Sequence, residues 1–561
     1  MLDREIFKAL QDIVGERYVS EDPGILETYR CVAPQSSAHY GPYDHRTPTP
    51  QAVVIPGTVE EVQAVVRICN KYGIVFKASS TFWSAHGYIG SDYGIQIDMR
   101  RFNDFEIDPK NMIFTCGSQV NHATAQAEAM KYGLTYNIPG VGCSSSIVAS
   151  TAGWAGAGPN TCYAGGNYQN LLCAEWVLPD GEILYTGSAG AGLDWFTDEG
   201  IGPGTRGIIR SGHGMKGEMG ICTKMSFKLA PWPGPADMCT VGTVPVYRSQ
   251  MPKNIRFYAL CFENWDDWVN ATDRLNSNEV LWMGHRQFGM FGRDLKGAMI
   301  EILNDPDKQL SDIPALLEDP KVQATTKSLK IEMYIIIAGM NDADMEWKEA
   351  AVNEVLETYH GWKDERLLDR EMEEYMLTYF IRLGRKNLNY VYCGAYEGSF
   401  GLCMNNVYDS VKFNEEAFAL KKYWEDNDNF FAQVGGDSAM GSITGSGGDN
   451  GAMAWEVFCH YDSHEHELIP KVTNFMDNVS KKFQNGHGVG YDFCNSTEGF
   501  RRPDGFSWTQ DQMNEMYGGR PNTAPYTYQW KMREAFNPNH LNGSYYGTLD
   551  PDYLEKEEIK K

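Results

Sequence analysis

The amino-acid sequence predicts an α+β protein made of two unlike parts. Three features carry that reading: a strand–helix–strand unit after residue 50, a long Gly/Ala/Ser-rich stretch from Pro139 to Gly166, and a change of pattern near Pro231. Ala52–Pro56 is a short β-rich run ending at Pro56-Gly57. Thr58-Val59-Glu60-Glu61 then has the form of a capping box, in which side chains take up amides that the first helical turn leaves unsatisfied. Val59, Val62, Val66 and Cys69 recur at helical spacing until Gly73, a residue suited to the left-handed conformation that stops a helix. A second strand, Ile74–Ala78, leads into the polar turn Ser79-Ser80-Thr81-Phe82-Trp83-Ser84. Strands follow near Gly94–Met99 and Met112–Cys116, and a helix over Asn121–Tyr132 stops at Gly133.

The Pro139–Gly166 stretch has little regular pattern and is too apolar for disorder, which marks it as functional. Leu171–Leu178 and Glu182–Thr186 flank Pro179-Asp180-Gly181 and read as a hairpin. Past Pro231, Asn254–Phe262 alternates like a strand, and Asn264 caps a helix with Trp265, Trp268, Val269, Thr272 and Leu275 on one face. Strand Lys330–Ala338 and a helix from Ala343 to Tyr359 repeat the unit, which predicts a second, antiparallel sheet with helices on one face.

Charge and composition exclude several function classes. The 561 residues carry 49 Lys plus Arg against 74 Asp plus Glu, a net charge of −25. Phosphate backbones and anionic lipid surfaces select the opposite sign, so neither nucleic acid nor membrane is an expected partner. The N-terminus mixes charged and apolar residues from its third position, leaving no apolar stretch for a signal sequence, and no window spans a bilayer. A mature chain starting near Met1 and a cytoplasmic location are therefore expected. Thirteen scattered cysteines without a Cys-x-x-Cys pair read as reduced core thiols.

Two motifs are set aside. Gly212-His213-Gly214-Met215-Lys216-Gly217 satisfies G-x-G-x-x-G, but the strand-like run Ile221–Leu229 follows it, whereas a dinucleotide fingerprint needs a helix there to hold the pyrophosphate. His460, His464 and His466 have metal-compatible spacing, but no carboxylate or cysteine partner has a fixed place, and a capped helical turn explains them. No metal site is expected.

Six segments in fixed order carry the functional reading: PGTVEEVQAVVRICNKYGI, the small-residue turn after it, QIDMRRF, the Gly/Ser loop, EWVLPDGEILYTG, and GPGTRGIIRSGHGMKGEMGICTKMSFKLAPWPGP. Together they resemble the FAD-binding domain of the vanillyl-alcohol oxidase and p-cresol methylhydroxylase superfamily. WKMREAFNPNHLNGSYY resembles that superfamily's closing segment, which returns to the flavin. The resemblance implies a two-part FAD-binding domain, residues 1–235 and 501–561, around a substrate or cap domain, residues 236–500. It implies FAD as cofactor, a pyrophosphate loop at Ser79, Ser80, Thr81, Phe82, Trp83 and Ser84, and a second cofactor stretch with Gly142, Cys143, Ser145, Ser146 and Ala149. In the same way, Gly220 and Ile221 are set against the cofactor, and Lys531 and Asn542 near the isoalloxazine.

Departures from the family pattern matter too. Phe82 and Trp83 stand where glycines are usual, so their rings must turn away from the phosphates. The family's tethering histidines fall on Thr81 or Phe82 and near Trp455, which predicts dissociable FAD; attachment through a tyrosine or His86 stays open. The acid that phenol-oxidising members hold near flavin N5 matches Asn167, and an amide cannot act as a base. The zinc motif of lactate and glycolate dehydrogenase relatives meets Gly448-Asp449-Asn450-Gly451 without a histidine after it.

The resemblance thus implies hydride transfer between a small organic substrate, an aromatic alcohol, phenol or hydroxy acid, and flavin N5. Tyr168, His213, Arg206 and Arg210 are the candidate catalytic residues, with Tyr163, Tyr545 and Tyr546 as further polar groups. Arginine would fix a carboxylate or phenolate, and tyrosine or histidine would move a proton. A flavin-bearing subunit that passes electrons to a redox partner protein is the alternative, and a homo-oligomer is compatible with either. Residues 51–160 count 8 acids against 7 bases, so the acidity does not oppose an anionic cofactor there.

Overall fold

The structure, a computed structural model, describes residues 2–30, 48–82, 87–89, 94–137, 143–153, 158–199, 204, 206–209, 217–242, 248–288, 306–307, 331–364, 370–381, 395–408, 410–412, 415, 438–443, 452–462 and 525–543. For Arg206, Met372, Tyr379 and residues 287–288, 395–406, 438–443, 452–462 and 525–530 it describes the backbone alone.

Helix α1 (Arg4–Val14) precedes a sheet of β1 (Val19–Ser20), β2 (Ala52–Val54), β3 (Val75–Ser79) and β4 (Gly94–Asp98) in the order β1-β2-β4-β3. β2, β3 and β4 run parallel, because helix α2 (Val59–Tyr72) carries the chain back between β2 and β3. The Thr58 hydroxyl accepts the Glu61 amide at 3.2 Å, as the capping box predicts. The Glu61 carboxylate takes the amide of Gly57 at 2.6 Å, so the reciprocal bond lands one residue early. Val62, Val66 and Cys69 of α2 pack with Phe76, Ile95 and Ile97 on one sheet face. The period of two then puts Lys77, Gln96 and Asp98 on the other, and all three are buried.

A second, antiparallel sheet joins β5 (Phe105–Asp108), β6 (Ile113–Gly117), β7 (Leu171–Val177), β8 (Ile183–Tyr185) and β9 (Ile221–Lys228) in the order β5-β6-β9-β7-β8. β5 is an edge strand absent from the sequence reading; its exposed Phe105 and Glu106 show no in–out alternation. The β7–β8 hairpin turns at Gly181, whose φ of +85° and close approach to Arg67 exclude a side chain. Helix α3 (His122–Met130) is capped by Asn121, whose side-chain oxygen accepts the Thr124 amide at 2.9 Å. The Gly/Ala/Ser-rich stretch and its exit hold short helices, α4 (Ile147–Gly153), α5 (Thr161–Ala164) and α6 (Asn167–Asn170), followed later by α7 (Arg206–Ile209). The expectation of little regular structure from Pro139 to Gly166 is corrected here: one or two turns built from small residues leave no periodicity to read.

The largest sheet contains β10 (Ile255–Cys261), β11 (Met283–Phe288), β12 (Glu332–Ala338), β13 (Trp362–Lys363), β14 (Ala395–Asn406), β15 (Ser438–Ile443) and β16 (Ala452–Asp462) in the order β13-β10-β12-β11-β15-β16-β14. It is antiparallel throughout these pairings, as the sequence predicts. Helices α8 (Trp265–Ser277) and α9 (Asp342–Thr358) pair on one face, where the Thr272 hydroxyl meets the Met333 sulfur at 3.5 Å. The next residue, Tyr334, points to the opposite face and meets Phe380 of a third helix, α10 (Arg370–Ile381), at 5.8 Å between rings. That face also packs against Met130 of α3 and Trp232, whose ring meets Trp282 at 5.2 Å.

Helix α11 (Pro525–Phe536) brings the chain back to the first sheets. Phe536 stacks on Trp176 with ring centres 5.2 Å apart, and Leu541–Gly543 adds to the free edge of β3 through both backbone groups of Phe76.

Candidate functional site

The turn after β3 is anchored at its base by one side chain. Gln96, fully buried, donates to the carbonyls of Lys77 and Gly87 at 3.0 Å each and accepts the Ile89 amide at 2.9 Å. Both ends of the polar turn are therefore held to β4 by the one buried side chain. Phe82 has φ of +52°, and its ring packs edge-on to Tyr29 at 5.3 Å and tilted to Tyr88 at 5.1 Å. The ring sits in a cluster with Leu26 and Val53.

The second stretch docks directly on this turn. The Ser146 amide donates to the Thr81 hydroxyl at 3.1 Å, and the Ser146 hydroxyl donates to the Ser118 carbonyl at 2.7 Å and accepts the Ala149 amide at 3.0 Å. Cys143 is held by its carbonyl to the Ala123 amide at 2.9 Å. Around these bonds the hydroxyls of Ser118 and Ser144 and the side-chain oxygen of Gln119 are buried with no hydrogen-bond partner among the described residues. Orphaned buried polar atoms are costly, so a bound polar molecule or water placed here would gain hydrogen bonds.

Behind the stretch lies a buried polar network that sequence reading missed. His122 Nδ1 meets the Ser145 carbonyl at 2.9 Å, so that nitrogen carries the proton, and Nε2 accepts from the Asn167 amide group at 3.0 Å. The Asn167 oxygen accepts from the Tyr136 hydroxyl and from the Asn137 amide group, each at 2.8 Å. Burial holds the His122 pKa down at about 4, so the ring is neutral at neutral pH. His122 lies on the apolar face of α3 among alanines, where nothing in the sequence separates it from a core residue.

The closing segment completes the site. Asn542, fully buried, accepts the Gly220 amide at 2.6 Å and donates to the Gly217 carbonyl at 2.7 Å. Its own carbonyl and amide are bonded to the Asn537 side chain at 3.0 and 3.3 Å. Gly220 has φ of +117°, and a Cβ there would stand 2.3 Å from the Trp176 indole nitrogen, so no other residue fits. Its amide is taken by Asn542, and the Ile221 side chain packs in the core of the first sheet. Lys531 is exposed on α11, whereas Arg533 is buried beside Glu218 at 3.8 Å, so the basic group brought to this closure is Arg533.

The remaining sequence candidates distribute as follows. Tyr168 follows Asn167 on α6, and Tyr163 donates to the Pro231 carbonyl at 2.9 Å while packing against the largest sheet's core. Arg206 opens α7, but its side chain lies outside the described residues, as do Trp83, Ser84, His86, Gly142, Arg210, His213, Tyr545 and Tyr546. His460 lies on β16, not in the helical turn expected for it, and His464 and His466 lie outside the described residues. Of the cysteines whose side chains are described, Cys239 is exposed and the others are buried free thiols.

Comparison with known proteins decides what this arrangement holds. A family described as FAD binding domain matches residues 50–187, which span the turn after β3, the Ser145–Ser146 stretch and the β7–β8 hairpin. The fold superposes on p-cresol methylhydroxylase with substrate bound at a TM-score of 0.68 and 16% identity, covering 97% of this chain and 96% of that one. The chain is a flavoprotein with the fold of p-cresol methylhydroxylase. The superposition on 4-ethylphenol oxidase from Gulosibacter chungangensis gives a TM-score of 0.66 at 18% identity and covers 98% of both chains. By sequence, this flavoprotein is 31% identical over 212 residues to the 4-cresol dehydrogenase [hydroxylating] flavoprotein subunit of Pseudomonas putida, covering 34% of this chain and 37% of that one. It is 25% identical over 162 residues to D-lactate dehydrogenase of Archaeoglobus fulgidus, covering 29% and 34%. The aligned stretch is thus about a third of those relatives' length.

The residues of the flavoprotein fit FAD. Neutral hydroxyls and backbone amides dominate the two docked stretches, and they suit a pyrophosphate held by dipoles and a polyol chain held by hydroxyls. Among the described residues no group of three or more His, Cys, Asp or Glu could hold a metal ion, and no helix is long and apolar enough to cross a membrane.

Proposed function

We propose that this flavoprotein is an FAD-dependent oxidoreductase that moves a hydride between a small organic substrate and the flavin. The observation that carries the reading is the docking of Ser146 on Thr81 inside the FAD-binding match, with unpartnered buried hydroxyls around it. FAD, when bound, supplies the two-electron chemistry, and the protein supplies position, dryness and proton placement. Substrate binds between the FAD-binding part, residues 1–235 with 501–561, and the cap, residues 236–500. Arg206 and Arg210 fix an anionic substrate group, and Tyr168 and His213 serve in proton transfer.

Asn167 and neutral His122 orient rather than deprotonate. The Asn167 amide is bonded at both its ends, and the His122 nitrogen that lacks a proton accepts from it. Proton removal therefore falls to another group, which separates this chain from relatives with an acid at the Asn167 position. The FAD is dissociable: acid precipitation leaves the colour in the supernatant, and a yellow pellet would refute this.

The decisive experiment is anaerobic titration of the yellow holoprotein against phenols, 2-hydroxy acids and unsaturated acids. Bleaching of the visible flavin bands by one class identifies the substrate. A holoprotein that dithionite bleaches but no candidate of any class does would overturn the proposal. The similarity to a protein named as a flavoprotein subunit supports a second reading, a chain that passes electrons to a partner protein. Slow reoxidation by oxygen together with an oversized native mass selects that reading; fast reoxidation selects a free-standing oxidase.

A further inference from the structure

Lys77 is 2% exposed in the strand that runs into the polar turn, two residues before Ser79. Its backbone carbonyl is one of the three groups on the Gln96 clamp, so the lysine is set at the rigid base of the loop. Its side chain lies on the polar face of the sheet and runs toward the closure, with the ammonium nitrogen 3.3 Å from where a Gly217 Cβ would stand. The Gly217 carbonyl is held by Asn542, and the next residue, Glu218, sits 3.8 Å from Arg533. A buried ammonium thus stands where β3, the residues before β9 and the returning chain converge. Burying such a charge is costly, and water or a surface location would be cheaper unless the charge serves an anion. An ammonium carries three N–H donors, so a bond within the protein leaves others for a ligand oxygen.

Resting on the FAD reading above, we propose that Lys77 is a cofactor-binding residue that holds the FAD pyrophosphate from the base of the loop. The turn itself offers hydroxyls and dipoles without a full charge, and Lys77 supplies the point charge beneath it. Gln96 is then a positioning residue that keeps the lysine and the loop in register.

The test compares Lys77→Met and Lys77→Arg in the full chain, stripped of flavin and titrated separately with FAD, ADP and riboflavin. Lys77→Met should weaken FAD and ADP by roughly tenfold or more each, leave riboflavin affinity unchanged, and leave the melting temperature of the apoprotein equal or higher; Lys77→Arg should stay near wild type. If Lys77→Met fails to fold, Lys77→Gln, which keeps N–H donors without the charge, answers in the same FAD, ADP and riboflavin titrations. Lys77→Met or Lys77→Gln binding ADP within twofold of wild type, or equal losses for ADP and riboflavin, overturns the inference alone. A wild-type chain that binds no FAD overturns the proposed function and this inference with it.

Discussion

Asn542 accepts the Gly220 amide at 2.6 Å although the two residues lie 322 positions apart in the chain. Through its other side-chain atom Asn542 also holds the Gly217 carbonyl, so one amide group seals the returning segment over the loop before β9. Replacing Asn542 by Leu orphans one buried donor and one buried acceptor, each costing about 1–3 kcal/mol. The melting temperature should fall by several degrees and FAD affinity should drop with it. Asn542→Asp, which keeps the acceptor for Gly220, should recover only part of the loss; thermal scans with and without FAD read both.

His122 gives a pH signature of known sign. Its pKa is lowered by burial to about 4 in the folded chain, below the ordinary value of 6.5. The folded state then binds that proton less well than the unfolded state, so this stability is complete above 6.5 and lost as pH falls toward 4. His122→Gln should flatten that slope in denaturant titrations. Asn167→Asp should raise the His122 pKa by placing a carboxylate beside Nε2, and a proton titration of the ring by NMR reports it directly.

Glu332 acts in the opposite sense. It is fully buried in β12, 4.0 Å from Arg286, and burial raises its pKa from 4.5 to about 7 despite that arginine. Its contribution is complete below 4.5 and is lost as pH rises through 7. Glu332→Gln should remove the decline between pH 4.5 and 7 while leaving the acid limb set by His122. A variant that keeps the full decline between pH 5 and 8 would refute the assignment.

Phe82 sets a backbone penalty against a packing gain. Its φ of +52° costs a residue with a side chain about 1 kcal/mol relative to glycine, whereas removing a packed aromatic ring costs roughly 3–5 kcal/mol in a full core and less at this half-buried site. Packing wins, so Phe82→Gly should lower stability by about 1–2 kcal/mol even though it relieves the backbone, measured by the denaturation midpoint.

The parts legible in the sequence are those with local causes. The box at Thr58 and Glu61, the valine stripe to Cys69, the stop at Gly73 and the Asn264 cap all act within a few residues, and each appears where expected. β5 and the short helices of the Gly/Ser stretch escaped because an exposed edge strand and a single turn impose no repeating pattern.

What the sequence determined by itself is the α+β class, the order of the cofactor segments and the need for Phe82 to turn away from the loop. Only the tertiary structure decided which polar residues meet. His122 and Lys77 are ordinary residues in a helix and a strand until Asn167 and the Gly217 loop are folded against them. The physical reason is that burial and hydrogen-bond partnership are properties of three-dimensional neighbours. A motif fixes the backbone that positions a site, whereas its electrostatics come from segments far apart in the chain, as Asn542 and Gly220 are.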